Sequence, residues 1–127
     1  MLSVGTDLIE INRIAKSLQN RYFLEKIFGQ RELEELEKRG LPAQSAAAAF
    51  AAKEAFSKAI GTGLTGFSMR EVEVLHNDRG APYFYFTGRA KELVEGRNLR
   101  FSLSLTHSME LAQAVVIAYE PEDRLDC

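Results

Sequence analysis

The densest group of chemically competent residues is the run Phe50-Ala51-Ala52-Lys53-Glu54-Ala55-Phe56-Ser57-Lys58-Ala59-Ile60-Gly61-Thr62-Gly63. Glu54 and Lys58 are four positions apart, so on a helix they project from one face. A carboxylate beside an ammonium, close to a glycine-containing turn, can hold a metal ion and the phosphate oxygens that the metal bridges. The same spacing also serves as a plain helix-stabilising pair worth roughly a few tenths of a kcal/mol. Ala47 and Ala51 lie near that face one and two turns earlier, which leaves room for a bulky group to approach. Asp7, closing the apolar run that begins at Leu2, is a second hard-oxygen donor. Magnesium takes one or two carboxylates and completes its shell with water and substrate phosphates. Asp7 serves equally well as a cap for the helix that follows it. His107, flanked by Thr106 and Ser108, offers an imidazole and two hydroxyls to a phosphate, or simply completes a turn.

Other chemistries find little support. The single cysteine, Cys127, is the last residue, so neither an intrachain disulfide nor a C-x-x-C metal site is available. No second histidine joins His107 in a ligand pattern, and no P-loop or G-x-G-x-x-G sequence is present. A net charge of -2 and a pI near 5.7 have the wrong sign for a nucleic-acid binder. The N-terminus lacks a basic region, and no stretch approaches the roughly 20 apolar residues of a membrane span. A soluble, cytoplasmic protein is expected, with no membrane or nucleic-acid partner. Locally the charge reverses: between Ile11 and Gln30, Arg13, Lys16, Arg21 and Lys26 face one acid, Glu25. This basic strip reads either as a docking surface for an anionic partner or as an ordinary solvated helix face.

Several elements must position these groups. Leu2, Val4 and Thr6 alternate with Ser3, Gly5 and Asp7, which predicts a short strand ending on Asp7. Ile11, Ile14 and Leu18 then fall at helical spacing, with Arg13 and Lys16 on the outer face. Further helical pieces run over Tyr22 to Phe28 and Arg31 to Arg39. Pro42 opens a helix over Ala43 to Ile60 that Gly61 ends. Its alanines have the highest helix propensity available, and it is expected to be the most buried helix. Val72 to Leu75 and Pro82 to Phe86 read as a hairpin about the Asn77-Asp78-Arg79-Gly80 turn. Gly88 to Arg97 forms a short helix; strands follow at Phe101 to Leu105 and Leu111 to Tyr119, with a frayed tail from Pro121 to Cys127. With 127 residues, 46% hydrophobic and 27% charged, a single domain over 1–127 is expected. The class is α+β, a mostly antiparallel sheet packed on a long, buried, alanine-rich helix.

Three segments together resemble the holo-acyl-carrier-protein synthases of the 4'-phosphopantetheinyl transferase family. They are Val4 to Ile14, Phe50 to Gly63 and Ser102 to Ser108, with the Asn77 to Pro82 turn in register between the last two. The resemblance spans nearly the whole chain and implies the 4'-phosphopantetheinyl transferase fold. It implies transfer of the phosphopantetheine arm of coenzyme A to a serine of an acyl carrier protein, releasing adenosine 3',5'-bisphosphate, in support of fatty acid biosynthesis. By the same resemblance Asp7 and Glu54 ligate magnesium, and Lys58 contacts the coenzyme A phosphates and assists catalysis with Glu54. Gly61, Gly63 and Pro82 lie near the nucleotide, Thr106 and His107 lie at the rim, and Arg13 stands beside the incoming carrier. A homotrimer with active sites between subunits is also implied. One departure stands out: family members often carry arginine just before the aromatic residue of the helix motif, where this chain has Ala49.

Overall fold

The computed structural model describes residues 2–122. In chain order the elements are β1 (Leu2–Glu10), α1 (Ile11–Ser17), α2 (Arg21–Ile27), α3 (Gln30–Lys38), α4 (Ala43–Ile60), a 3-10 turn (Met69–Glu71), β2 (Val72–His76), β3 (Pro82–Phe86), α5 (Gly88–Gly96), β4 (Arg100–His107) and β5 (Leu111–Tyr119). The expectations for the tail beyond Glu122, Cys127 included, lie outside the described residues.

β1 does not stop at Asp7. It continues to Glu10, paired antiparallel with β5 from Leu2↔Tyr119 to Glu10↔Leu111. Asp7 therefore sits inside the strand opposite Ala114, and it caps nothing; the N-cap of α1 is Glu10, which makes no side-chain cap bond. β4 pairs with the other side of β5, giving the order β1-β5-β4, while β2 and β3 form a separate hairpin. The strands are antiparallel as expected, but they divide into two sheets.

The face of β1 that packs inward is the reverse of the one its apolar residues mark. Gly5 and Ile9 are buried, whereas Leu2, Val4 and Leu8 are 59%, 63% and 59% exposed. The reason lies in α4, whose alanines bring its backbone unusually close to the sheet. A methyl added at Gly5 would lie 2.0 Å from Ala55 O and 2.7 Å from Ala59 N. Ala47 and Ala51, earlier on the same helix, are fully buried as well. The room they were expected to leave for a ligand is filled by the molecule itself, because small side chains shorten the distance at which helix and sheet close-pack.

On the side of α4 turned toward the hairpin, Phe56 is ringed by Phe67, Phe84, Phe86 and Phe101 at centroid separations of 5.2 to 5.5 Å. Lys53, one residue before Glu54, is fully buried there and belongs to the scaffold. Its Nζ donates to Glu32 Oε1 at 2.7 Å, to Met69 O at 3.2 Å and to Val72 O. Glu32 accepts in turn from the Gly29 and Val74 amides, and Glu73 accepts from the Glu32 amide. Burial pushes the Glu32 carboxyl up and the Lys53 ammonium down, and the attraction of each for the other opposes both shifts. This network ties α3, α4 and β2 into one frame.

Candidate active site

α4 lies across the three-stranded sheet, so its turns carry side chains to both sides of the contact line. On the β1 side, Lys58 Nζ donates to Thr6 O at 2.9 Å and stands 3.3 Å from Asp7 Oδ1. Glu54, one turn earlier, shares this corner. Burial, then the charge of Asp7, raises its carboxyl above the ordinary range, while Lys58 and Arg13 pull it back. Asp7, Glu54, Lys58 and Arg13 thus form one electrostatic unit, although they come from β1, α4 and α1. Two carboxylates at a half-buried corner, Glu54 raised in part by the charge of Asp7, suit a divalent cation. Among the described residues no group of three or more His, Cys, Asp and Glu gathers. The donor set is therefore one that a hard ion with water and phosphate ligands can use, and not a closed all-protein cage.

α4 ends in Gly61, whose φ of 79° is left-handed and whose N–H returns to Lys58 O at 3.2 Å. Gly63, at φ 61°, donates to Ser57 O at 3.3 Å. Both glycines border open space, so backbone there is accessible to a ligand.

Pro82, Thr106 and His107 are elsewhere. His107 lies on β4, separated from β1 by the whole of β5, or roughly 10 Å across the sheet. It lines a cavity of about 440 Å³ with Arg39, Ser45, Ala48, Ala49, His76 and Gly80. Ser45 is nine residues before Glu54, half a revolution round the helix at about 100° per residue. His107 and Glu54 thus occupy opposite flanks of α4. Pro82 begins β3 and lines a second cavity of about 510 Å³, between the edges of β3 and β4. Thr106 and His107, as neighbours in a strand, point to opposite sheet faces and do not act on one point. Ser108 accepts from the Glu110 and Leu111 amides and so caps the turn.

Of the basic strip, Arg13, Lys16, Arg21 and Lys26 are all exposed. Arg21 is engaged by Glu25 at 3.1 Å and Glu37 at 3.5 Å, and the Glu25 bond leads in raising its pKa. Lys26 lies 6.0 Å from the Tyr22 ring centroid. Reading the sequence did not single out Arg39 or His76, because no spacing rule links the end of α3 or β2 to Ala49. His76 Nδ1 stands 3.4 Å from Glu35 Oε1 without the alignment of a hydrogen bond.

The fold and this corner define a class of small α+β proteins in which an acid pair and a lysine meet where a strand crosses a long helix. The chain belongs to the 4'-phosphopantetheinyl transferase superfamily, whose family profile matches residues 3–115. It is 40% identical over 122 residues to a holo-[acyl-carrier-protein] synthase of Caldanaerobacter subterraneus subsp. tengcongensis, covering 94% of this chain and 96% of that one. Among solved structures, the holo-[acyl-carrier-protein] synthase of Neisseria meningitidis superposes with a TM-score of 0.86 at 33% identity, over 93% of this chain and 98% of that one. The synthase of Bacillus anthracis, solved in complex with CoA (3',5'-ADP), gives a TM-score of 0.75 at 35% identity, over 93% and 96%.

Proposed function

We propose that this protein is a magnesium-dependent holo-[acyl-carrier-protein] synthase, a single domain over 1–127 that moves the 4'-phosphopantetheine of coenzyme A to a serine of apo acyl carrier protein. The observation that carries the chemistry is the convergence of Asp7, Glu54 and Lys58 at one corner. The serine oxygen forms a bond to the β-phosphorus of coenzyme A as the bond to adenosine 3',5'-bisphosphate breaks, and the serine proton is released. Asp7 and Glu54 would hold the magnesium. When bound, the ion neutralises charge on the pyrophosphate and eases departure of the bisphosphate. Lys58 counters charge on the same oxygens. Glu54 is this chain's own candidate for taking up the serine proton, and a water held by the ion is the alternative acceptor.

The second flank of α4 finds its use in a neighbouring copy. In a homotrimer, Asp7, Glu54, Lys58 and the Gly61 to Gly63 turn of one subunit face Pro82 and one of the neighbours Thr106 and His107 of the next. The exposed apolar face formed by Leu2, Val4, Leu8, Val115 and Ile117 supports such an assembly. On that second flank Arg39 shares a cavity with Ala49 and His107, and it supplies the phosphate contact that the resemblance assigns to an arginine at position 49. The carrier, acidic along its recognition helix, docks on Arg13, Lys16, Arg21 and Lys26, with Arg13 joining dock and site.

Mass spectrometry of an apo carrier incubated with coenzyme A, magnesium and this protein tests the reading; no added phosphopantetheine would refute it. Asp7→Ala and Glu54→Ala should each abolish transfer in a folded protein, and full activity of either removes the metal site. Light scattering should give a trimer. A monomer with full activity would refute the shared site.

A further inference from the structure

The glycine turn after α4 borders open space and carries three left-handed glycines, Gly61, Gly63 and Gly66. Such a segment has a large conformational entropy to lose on ordering unless something holds it. Among the described residues, the backbone bonds from amides of the turn are those of Gly61 to Lys58 O and Gly63 to Ser57 O, at 3.2 and 3.3 Å. The last helical carbonyl, Ile60 O, is taken by a residue from a distant part of the chain: Arg97 Nη1 donates to it at 2.9 Å.

Arg97 is itself rigidly mounted. It ends α5, where its amide returns to Leu93 O and the Leu99 amide returns to Val94 O at 3.0 Å, with Asn98 between them at φ 51°. Val94 and Leu99 are buried in the same aromatic cluster as Phe56 and Ile60. The guanidinium therefore joins two walls of one cluster at the negative end of the α4 dipole, where a cation is favoured. Lys58 lies two residues upstream of the pinned carbonyl, and Gly61 follows it directly.

We infer that Arg97 is a positioning residue for coenzyme binding: by clamping Ile60 O it fixes the last turn of α4, and with it the Lys58 ammonium and the amides of Gly61 and Gly63. This rests on the reading of Lys58 and the glycine turn as coenzyme contacts. Arg97 acts through that backbone, so its loss weakens coenzyme A binding without altering recognition of the carrier.

The test compares the full-length parent with Arg97→Ala and Arg97→Lys. Amide hydrogen exchange is followed without ligand, and coenzyme A is titrated calorimetrically in the presence of magnesium. Arg97→Ala should speed exchange at Gly61 and Gly63 while central amides of α4 and β5 keep their protection. It should weaken coenzyme A binding roughly tenfold, the scale of one charge-assisted hydrogen bond. Arg97→Lys, which keeps a cation and a donor at the helix end, should recover most of both. Unchanged glycine exchange, unchanged affinity, or a uniform acceleration at all amides would overturn the proposal, the last by assigning Arg97 to global stability alone. Failure of the parent to bind coenzyme A sinks the coenzyme reading and the binding half of this one. The ligand-free exchange comparison still decides whether Arg97 orders the turn.

Discussion

Gly5→Ala is the sharpest probe of how this chain builds its site. Gly5 lies in an extended strand with no left-handed φ, so alanine fits its backbone and the whole effect is steric. The added methyl would sit 2.0 Å from Ala55 O and 2.7 Å from Ala59 N. That is roughly 1.4 Å short of ordinary van der Waals contact, against backbone atoms with no rotamer to yield. β1 must separate from α4, and the loss should reach the top of the overpacking range, about 3 kcal/mol. With a urea slope near 1.5 kcal/mol/M, the unfolding midpoint should fall by about 2 M. The same movement draws Asp7 and Thr6 O away from Lys58, so transfer activity per folded molecule should fall as well. Gly96→Ala is the matched control: nothing lies within 4 Å of its added methyl, and it ends a helix, so it should be neutral or stabilising. A Gly5→Ala midpoint equal to that of the parent would refute the close packing of β1 on α4 and the positioning derived from it.

Glu54→Gln should stabilise the metal-free protein at neutral pH. Its folded pKa is raised, so the ionised form carries a penalty above the carboxylate range that disappears as pH falls below about 4; a pH-independent effect in urea melts would contradict this. Magnesium should then stabilise the parent more than the variant. Lys53→Met should cost about 3–5 kcal/mol by stranding the Glu32 carboxylate, and adding Glu32→Gln should return part of it; an additive double variant would show that the two do not act as a pair. Lys16→Glu with Lys26→Glu, which leaves Arg13 at the site in place, should raise the KM for the carrier at low salt and leave coenzyme A affinity unchanged, with the effect shrinking near 1 M salt, where the Debye length is about 3 Å. Equal weakening of both substrates would make the strip a plain solvated face.

Local rules sufficed for much of this molecule. The alanine-rich run could only be a helix, Gly61 could only end it, and the Asn77 to Gly80 turn closes the hairpin where its residue types require. The residue types and spacing of Asp7, Glu54 and Lys58, read with the flanking segments, were enough to name the family. Burial and side were not legible in the same way. The alternation in β1 marks a strand without saying which face is buried: Leu2, Val4 and Leu8 face outward, because the close approach of α4 selects the face with Gly5, and no pattern within β1 reports what another element needs. Lys53 and Glu54 are adjacent letters with opposite fates, one buried in a network with Glu32 and one at the candidate site, since a helix turns about 100° between them. The separation of His107 from Asp7 follows from strand order, which depends on where β5 inserts. Arg97 and Ile60 meet across thirty-seven residues only because two helix ends share one aromatic cluster. Sequence fixes what each short segment is able to do; the packing of segments that are distant in the chain decides which residues share a site.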